Sequence, residues 1–175
     1  VTVHITDFTA AIEKAAANAM DLGAMSTDMV KIATVTNIEK STDATAEADG
    51  LAQVYSTYVA ITQDDAGTII SCVFDASQSN VNFDTSGMIT TDLSVAPMTK
   101  NELGTEYGLA EASSIGKEWN EQAAAFAAYV TGKTVDDVNG IAVTEDGHAE
   151  SSDLTSSVTI HITDFIDLID KAAAM

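Results

Sequence analysis

Three histidines, one cysteine and an excess of carboxylates are the groups in this 175-residue chain that could carry proton, metal or nucleophile chemistry. His4 and His161 stand at matched places in two copies of one short sequence. Imidazole is the side chain whose charge changes nearest neutral pH, so histidines that meet between neighbouring units would make assembly pH-sensitive. His148 sits in a Gly turn and is expected in solvent. Cys72 excludes an internal disulfide and a multi-cysteine metal site. It lies in a strand-like run with no neighbour to activate it, and reads as a small buried hydrophobe. Glu118 and Glu121 are spaced to share a helix face and are expected to face water. The acidic turns Asp64-Asp65-Ala66-Gly67, Asp136-Asp137 and Glu145-Asp146-Gly147 lack the ligand spacing of a regular calcium loop. No serine lies in a strand–turn–helix elbow, and no Gly-rich phosphate loop occurs. No catalytic residue and no metal site are assigned, and the chain reads as a non-enzyme.

Charge narrows the partners. The chain carries 27 Asp and Glu against 7 basic residues, for a net charge of −20. Every basic residue is Lys. Nucleic-acid binding needs cations to displace counterions and Arg to read guanine, so that class is excluded. An anionic membrane surface would repel the chain, and no stretch is apolar enough to span a bilayer. A hydrophobic fraction of 46% suffices for one core.

The elements that position these groups begin with an internal repeat. Val1-Thr-Val-His-Ile-Thr-Asp-Phe8 recurs as Val158-Thr-Ile-His-Ile-Thr-Asp-Phe165. The match continues through Ile12/Ile169, Lys14/Lys171 and the alanines that follow. Each copy reads as a strand followed by a helix. Val158, Ile160 and Ile162 alternate with Thr159, His161 and Thr163, and Phe165, Leu168, Ile169 and Ala172 then follow helical spacing. In the first copy the helix is expected from about Phe8 to Leu22. A single sheet has one place for this sequence. One copy is therefore expected to complete the local domain, and the other to belong to a neighbour. That neighbour is either the preceding repeat of the same polypeptide or a second molecule that accepts the strand. The alternative is that both copies decorate one body. Assembly is assigned to Val1, Val3, His4, Ile5 and Phe8, and to Val158, Ile160, His161, Ile162 and Phe165. Because the chain opens inside a patterned strand, it is expected to be a segment of something longer.

The middle is mixed. Ile32–Ile38, Ala52–Thr62 and Thr68–Asp75 are strand candidates, the last two joined by the turn at Asp64–Gly67. Val81–Phe83 and Met88–Thr90 flank a Ser86-Gly87 turn, and Ile141–Val143 is a further strand candidate. Ser41–Gly50 is a polar loop. A short helix is expected at Asn101–Leu103 and a long one from about Lys117 to Val130, its buried face made by Trp119, Ala123, Phe126 and Val130. Thr134 caps a short Val135–Val138 turn.

The runs Thr99–Gly108, Ser114–Trp119 and Asp153–Thr159 resemble an uncharacterised group of secreted or lipid-anchored proteins from Firmicutes. That group is remotely similar to the FMN-binding domains of membrane-linked electron-transfer complexes. The resemblance covers roughly residues 30–175 and implies an extracytoplasmic or cell-surface setting. The FMN-binding family carries an Asp, two spacers and then Ser/Thr-Gly-Ala-Thr, with FMN esterified to the last Thr. Carried over, the resemblance places Asp153 at the start, Ser156 and Ser157 in the middle and Thr159 as the acceptor. Ser157 stands where the family has Gly, and Val158 where it has Ala. On its own chemistry Thr159 is a strand threonine on a polar face.

The expected fold is α+β, an antiparallel sheet of about five strands packed by two or three helices, similar to an FMN-binding domain. Residues 1–22 are expected to form the duplicated element and 27–175 the domain proper. Two functions are read. One is a non-catalytic structural or interaction module of a bacterial surface protein, partnered by copies of itself or neighbouring repeats and without cofactor. The other is an electron-transfer module with covalent FMN at Thr159, or with FMN held against Trp119 or Tyr107.

Overall fold

Strands form where β-branched and aromatic residues alternate. In the computed structural model, which describes residues 5–175, three such runs make one antiparallel sheet in the order β1-β2-β3. They are β1 (Met29–Asn37), β2 (Gly50–Gln63) and β3 (Ile69–Phe83). The β2–β3 turn is tied by Asp64 Oδ1, which accepts from the Ala66 and Thr68 amides at 2.9 and 2.8 Å. The register sets Ala33 opposite Val59, Val59 opposite Phe74 and Ile61 opposite Cys72. These residues are buried on one face, while Ile32 and Val73 on the other face are exposed.

The helices are α1 (Thr6–Ala17), α2 (Lys100–Leu103), α3 (Trp119–Val130), α4 (Val135–Asn139), α5 (Ser152–Thr155) and α6 (Thr163–Ala173), with a 3-10 turn at Gly104–Tyr107; α3 and α6 cover the buried face. The α3 helix lies on β3, and α6 lies on β1 and β2. Phe165 of α6 stacks on Phe74 at 4.3 Å between ring centroids and meets the Trp119 ring edge-on at 5.9 Å. Each apolar side chain buried there contributes about 1.5–3 kcal/mol. Two lysines fasten α6 to the edge strand. Lys171 Nζ donates to the Thr34 carbonyl at 2.8 Å, and Lys31 Nζ donates to the Ala173 carbonyl at 2.6 Å.

Among the described residues the sheet therefore has three strands where about five were expected. Met88–Thr90 and Ile141–Val143 contribute single bridges, Phe83 to Ile89 and Val143 to Ala149. Both flank tight turns, so their chains part after one pair. Val158–Ile162 is likewise not a strand. It is a bent segment whose amides find partners outside any ladder: Val158 N donates to the Leu154 carbonyl and Ile162 N to the Gly147 carbonyl, each at 2.8 Å. Val158 and Ile162 are buried as the alternation implied.

The two repeat copies have different fates. In the second, Ile162, Phe165, Leu168 and Ile169 lie in the core. In the first, helix α1 buries no residue and ends at Ala17, short of Leu22. Lys14 of α1 makes an ion pair with Glu102. Val1, Val3 and His4 lie outside the described residues. No helix among the described residues is long and apolar enough to cross a membrane.

Candidate functional site

A cavity of about 940 Å³ opens between the buried face of the sheet, the 3-10 turn, the start of α3 and the segment leading into α6. Its lining includes Tyr55 and Gln53 from β2, Lys100 and Tyr107, Trp119, Thr159, His148, His161 and Asp164.

Lys100 is the unusual group. It opens α2, positioned by the box in which Thr99 N donates to Glu102 Oε2 at 2.9 Å. Its side chain turns inward and the residue is only 5% exposed. Its Nζ donates to the Tyr55 hydroxyl at 3.1 Å. The ammonium also lies 4.8, 4.6 and 5.0 Å from the ring centroids of Tyr55, Tyr107 and Trp119. Such cation–π contacts contribute roughly 0.5–2 kcal/mol each. Among the described residues no carboxylate lies within ion-pair distance of Lys100. Burial alone brings its pKa down to about 8. Burial also raises the phenols of Tyr55 and Tyr107, the latter further through the charge of Glu118.

Gln122 holds the other wall. It is completely buried on α3. Its Oε1 accepts from Thr159 N at 2.7 Å, Thr159 Oγ1 at 3.0 Å and Ile160 N at 3.2 Å. Its Nε2 donates to the Lys117 carbonyl at 2.9 Å and to Ser113 Oγ at 3.2 Å. One side-chain amide thus replaces the neighbouring strand that Val158–Ile162 lacks. Gly147 adds the third support. At φ +80° it turns tightly enough for its carbonyl to receive Ile162 N, and a Cβ there would stand 2.7 Å from Thr163 Oγ1.

Comparison with models of known protein families, with curated proteins and with solved structures finds no match to this chain.

The structure brings Thr159, Trp119 and Tyr107 to one cavity and leaves the rest of the carried-over motif outside it. Asp153 and Ser156 are exposed at the α5 turn, and Ser157 Oγ donates to the Leu154 carbonyl at 3.2 Å. None of these three lines the cavity. His161 is exposed, and its ring stands 4.2 Å from that of His148, which is half-buried rather than free in solvent. Cys72 is buried, and desolvation pushes its thiol up to about 12, so it stays protonated. Glu118 is not on a solvated face. It is buried at the start of α3, where its Oε2 accepts from Leu109 N and its own amide donates to Glu121 Oε2, both at 2.8 Å. Among the described residues no cluster of three or more His, Cys, Asp or Glu is placed to hold a metal ion.

Sequence reasoning passed over Lys100 and Gln122, although both left a signal. A Thr-x-x-Glu box puts Lys100 in the first turn of a helix, where a cation opposes the helix dipole. Gln122 falls three residues after Trp119 and four before Phe126, a polar residue on the buried face of α3.

Proposed function

We propose that this chain is a non-catalytic interaction module of a tandem array or polymer, in which α1 closes the body of a neighbouring unit as α6 closes its own. The observation that carries this reading is the contrast between the copies. Ile5, Phe8 and Ile12 are 67, 61 and 70% exposed, while their counterparts Ile162, Phe165 and Ile169 are 0, 3 and 0% exposed. The same apolar face is thus written twice and covered once. The family resemblance supports a setting outside the cytoplasm, on a bacterial surface.

Two differences between the copies decide which helix holds this chain's own groove. Thr9 stands for Ile166 and Ala11 for Leu168. A Leu-to-Ala change in a core costs about 2–5 kcal/mol, so α1 cannot displace the resident α6. It fits a body whose own closing helix is absent. The test is a polypeptide in which residues 23–157 are repeated ahead of Val1, so that the added body runs directly into the first copy. Amides of α1 should become protected from hydrogen exchange there and exchange freely in the 175-residue chain. Equal, fast exchange in both would refute the reading.

A second reading is favoured by the meeting of Thr159, Tyr107 and Trp119 at one cavity. It is an electron-transfer module with FMN esterified at Thr159, passing electrons between partners without turning over a substrate. The rings and the volume suit an isoalloxazine. Against it, esterification would take the proton that Thr159 Oγ1 donates to Gln122, and Asp153, Ser156 and Ser157 lie elsewhere. Intact mass of protein made in cells that flavinylate other proteins tests it. A gain of FMN less water at Thr159 is expected, and a bare polypeptide mass removes the covalent form.

A further inference from the structure

Buried charges in proteins are paired, because desolvation costs several kcal/mol per ion. Lys100 breaks that rule in a chain with 27 acidic residues available to satisfy it. The three rings around its ammonium attract the charge but cannot neutralise it. The ammonium borders a cavity of about 940 Å³, room for a small organic molecule. Two further features define what would complete the site. Tyr107, half-buried, borders the cavity beside Lys100 and offers a flat apolar body aromatic surface, with the almost wholly buried Trp119 also in the lining. Gln53 lines the same space as a polar wall, its Nε2 held by donation to Asn80 Oδ1 at 3.0 Å.

We propose that this cavity binds a planar organic anion, an aromatic carboxylate in class, with its negative group paired to Lys100 and its ring against Tyr107, close to Trp119. This site is independent of α1, and a flavin ester at Thr159 would compete with the anion for the same cavity. Glu39 and Asp164 also line the cavity but stand outside ion-pair distance of the ammonium, so a bound carboxylate would supply the contact counter-charge and leave the Tyr55 hydroxyl as a second partner.

Trp119 is the chain's one tryptophan, so a single indole N–H resonance reports on the site. The experiment is a titration of the nitrogen-15-labelled intact chain with 2-naphthoate and, separately, with the neutral 2-naphthamide. Saturable shift of the indole resonance is expected with naphthoate, at an affinity about tenfold or more above that for the amide, the value of one charge-assisted hydrogen bond. Lys100→Met should erase that preference and leave naphthamide binding unchanged. Absence of a saturable shift, equal affinities in the unaltered chain, or a preference that survives Lys100→Met would each overturn the proposal. The comparison of the two ligands in the unaltered chain stands even if the variant fails to fold.

Discussion

Gln122 shows how much of this fold hangs on one polar side chain. Its Oε1 serves both the Thr159 and Ile160 amides, and its Nε2 anchors the loop ahead of α3. A leucine of similar volume would leave two backbone donors without a partner in a buried wall. Each buried unsatisfied group costs about 1–3 kcal/mol. Gln122→Leu is therefore expected to lower unfolding free energy by about 2–4 kcal/mol in urea titrations. The Thr159 and Ile160 amides should lose their hydrogen-exchange protection first. A loss below about 0.5 kcal/mol, the range of ordinary surface changes, would mean that solvent reaches this segment and the amide is no anchor. Lys100 poses the opposite case at the same scale. It is a buried group whose surroundings are attractive yet uncharged, which is why it points to a ligand while Gln122 points to architecture.

At the scale of elements, local pattern was a good guide wherever local pattern determines structure. Alternation in Ile32–Ile38, Ala52–Thr62 and Thr68–Asp75 located the three strands, though β3 runs on to Phe83. The face of Trp119, Ala123, Phe126 and Val130 located α3, and Thr134 marked α4. Where the pattern misled, the deciding partner was distant. Val158–Ile162 alternates as a strand does, but its amides are taken by Gln122, 37 and 38 residues away, and by Gly147. Alternation reports which side chains are buried, not what the backbone bonds to. Glu118 was read as solvated from its spacing to Glu121. That spacing was the signature of a helix start, in which one carboxylate serves the amide of the other residue. The cavity was legible only in parts. Thr159, Trp119 and Tyr107 were singled out by resemblance, whereas the first-turn position of Lys100 gave no hint of the ring cage that three separate elements close around it.

For the whole molecule the governing fact is that one amphipathic helix was written twice and only one copy has a floor beneath it. An exposed face bearing Phe8 and Ile12 invites association, and a net charge of −20 opposes unspecific contact between chains. That balance suits a helix reserved for one complementary groove. It also separates the copies by experiment. Phe8→Asp with Ile12→Asp removes an apolar face that stabilises nothing in this chain, so unfolding free energy should shift by less than about 0.5 kcal/mol. Phe165→Asp with Ile169→Asp puts two carboxylates into the core beside Phe74 and Trp119, and should abolish cooperative folding. Thermal melts followed by circular dichroism separate the two pairs. If the first pair destabilises as strongly as the second, α1 closes a groove within its own chain and the array reading falls. If only the second does, α1 contributes no stability here, and its apolar face remains free for the groove of a neighbouring unit.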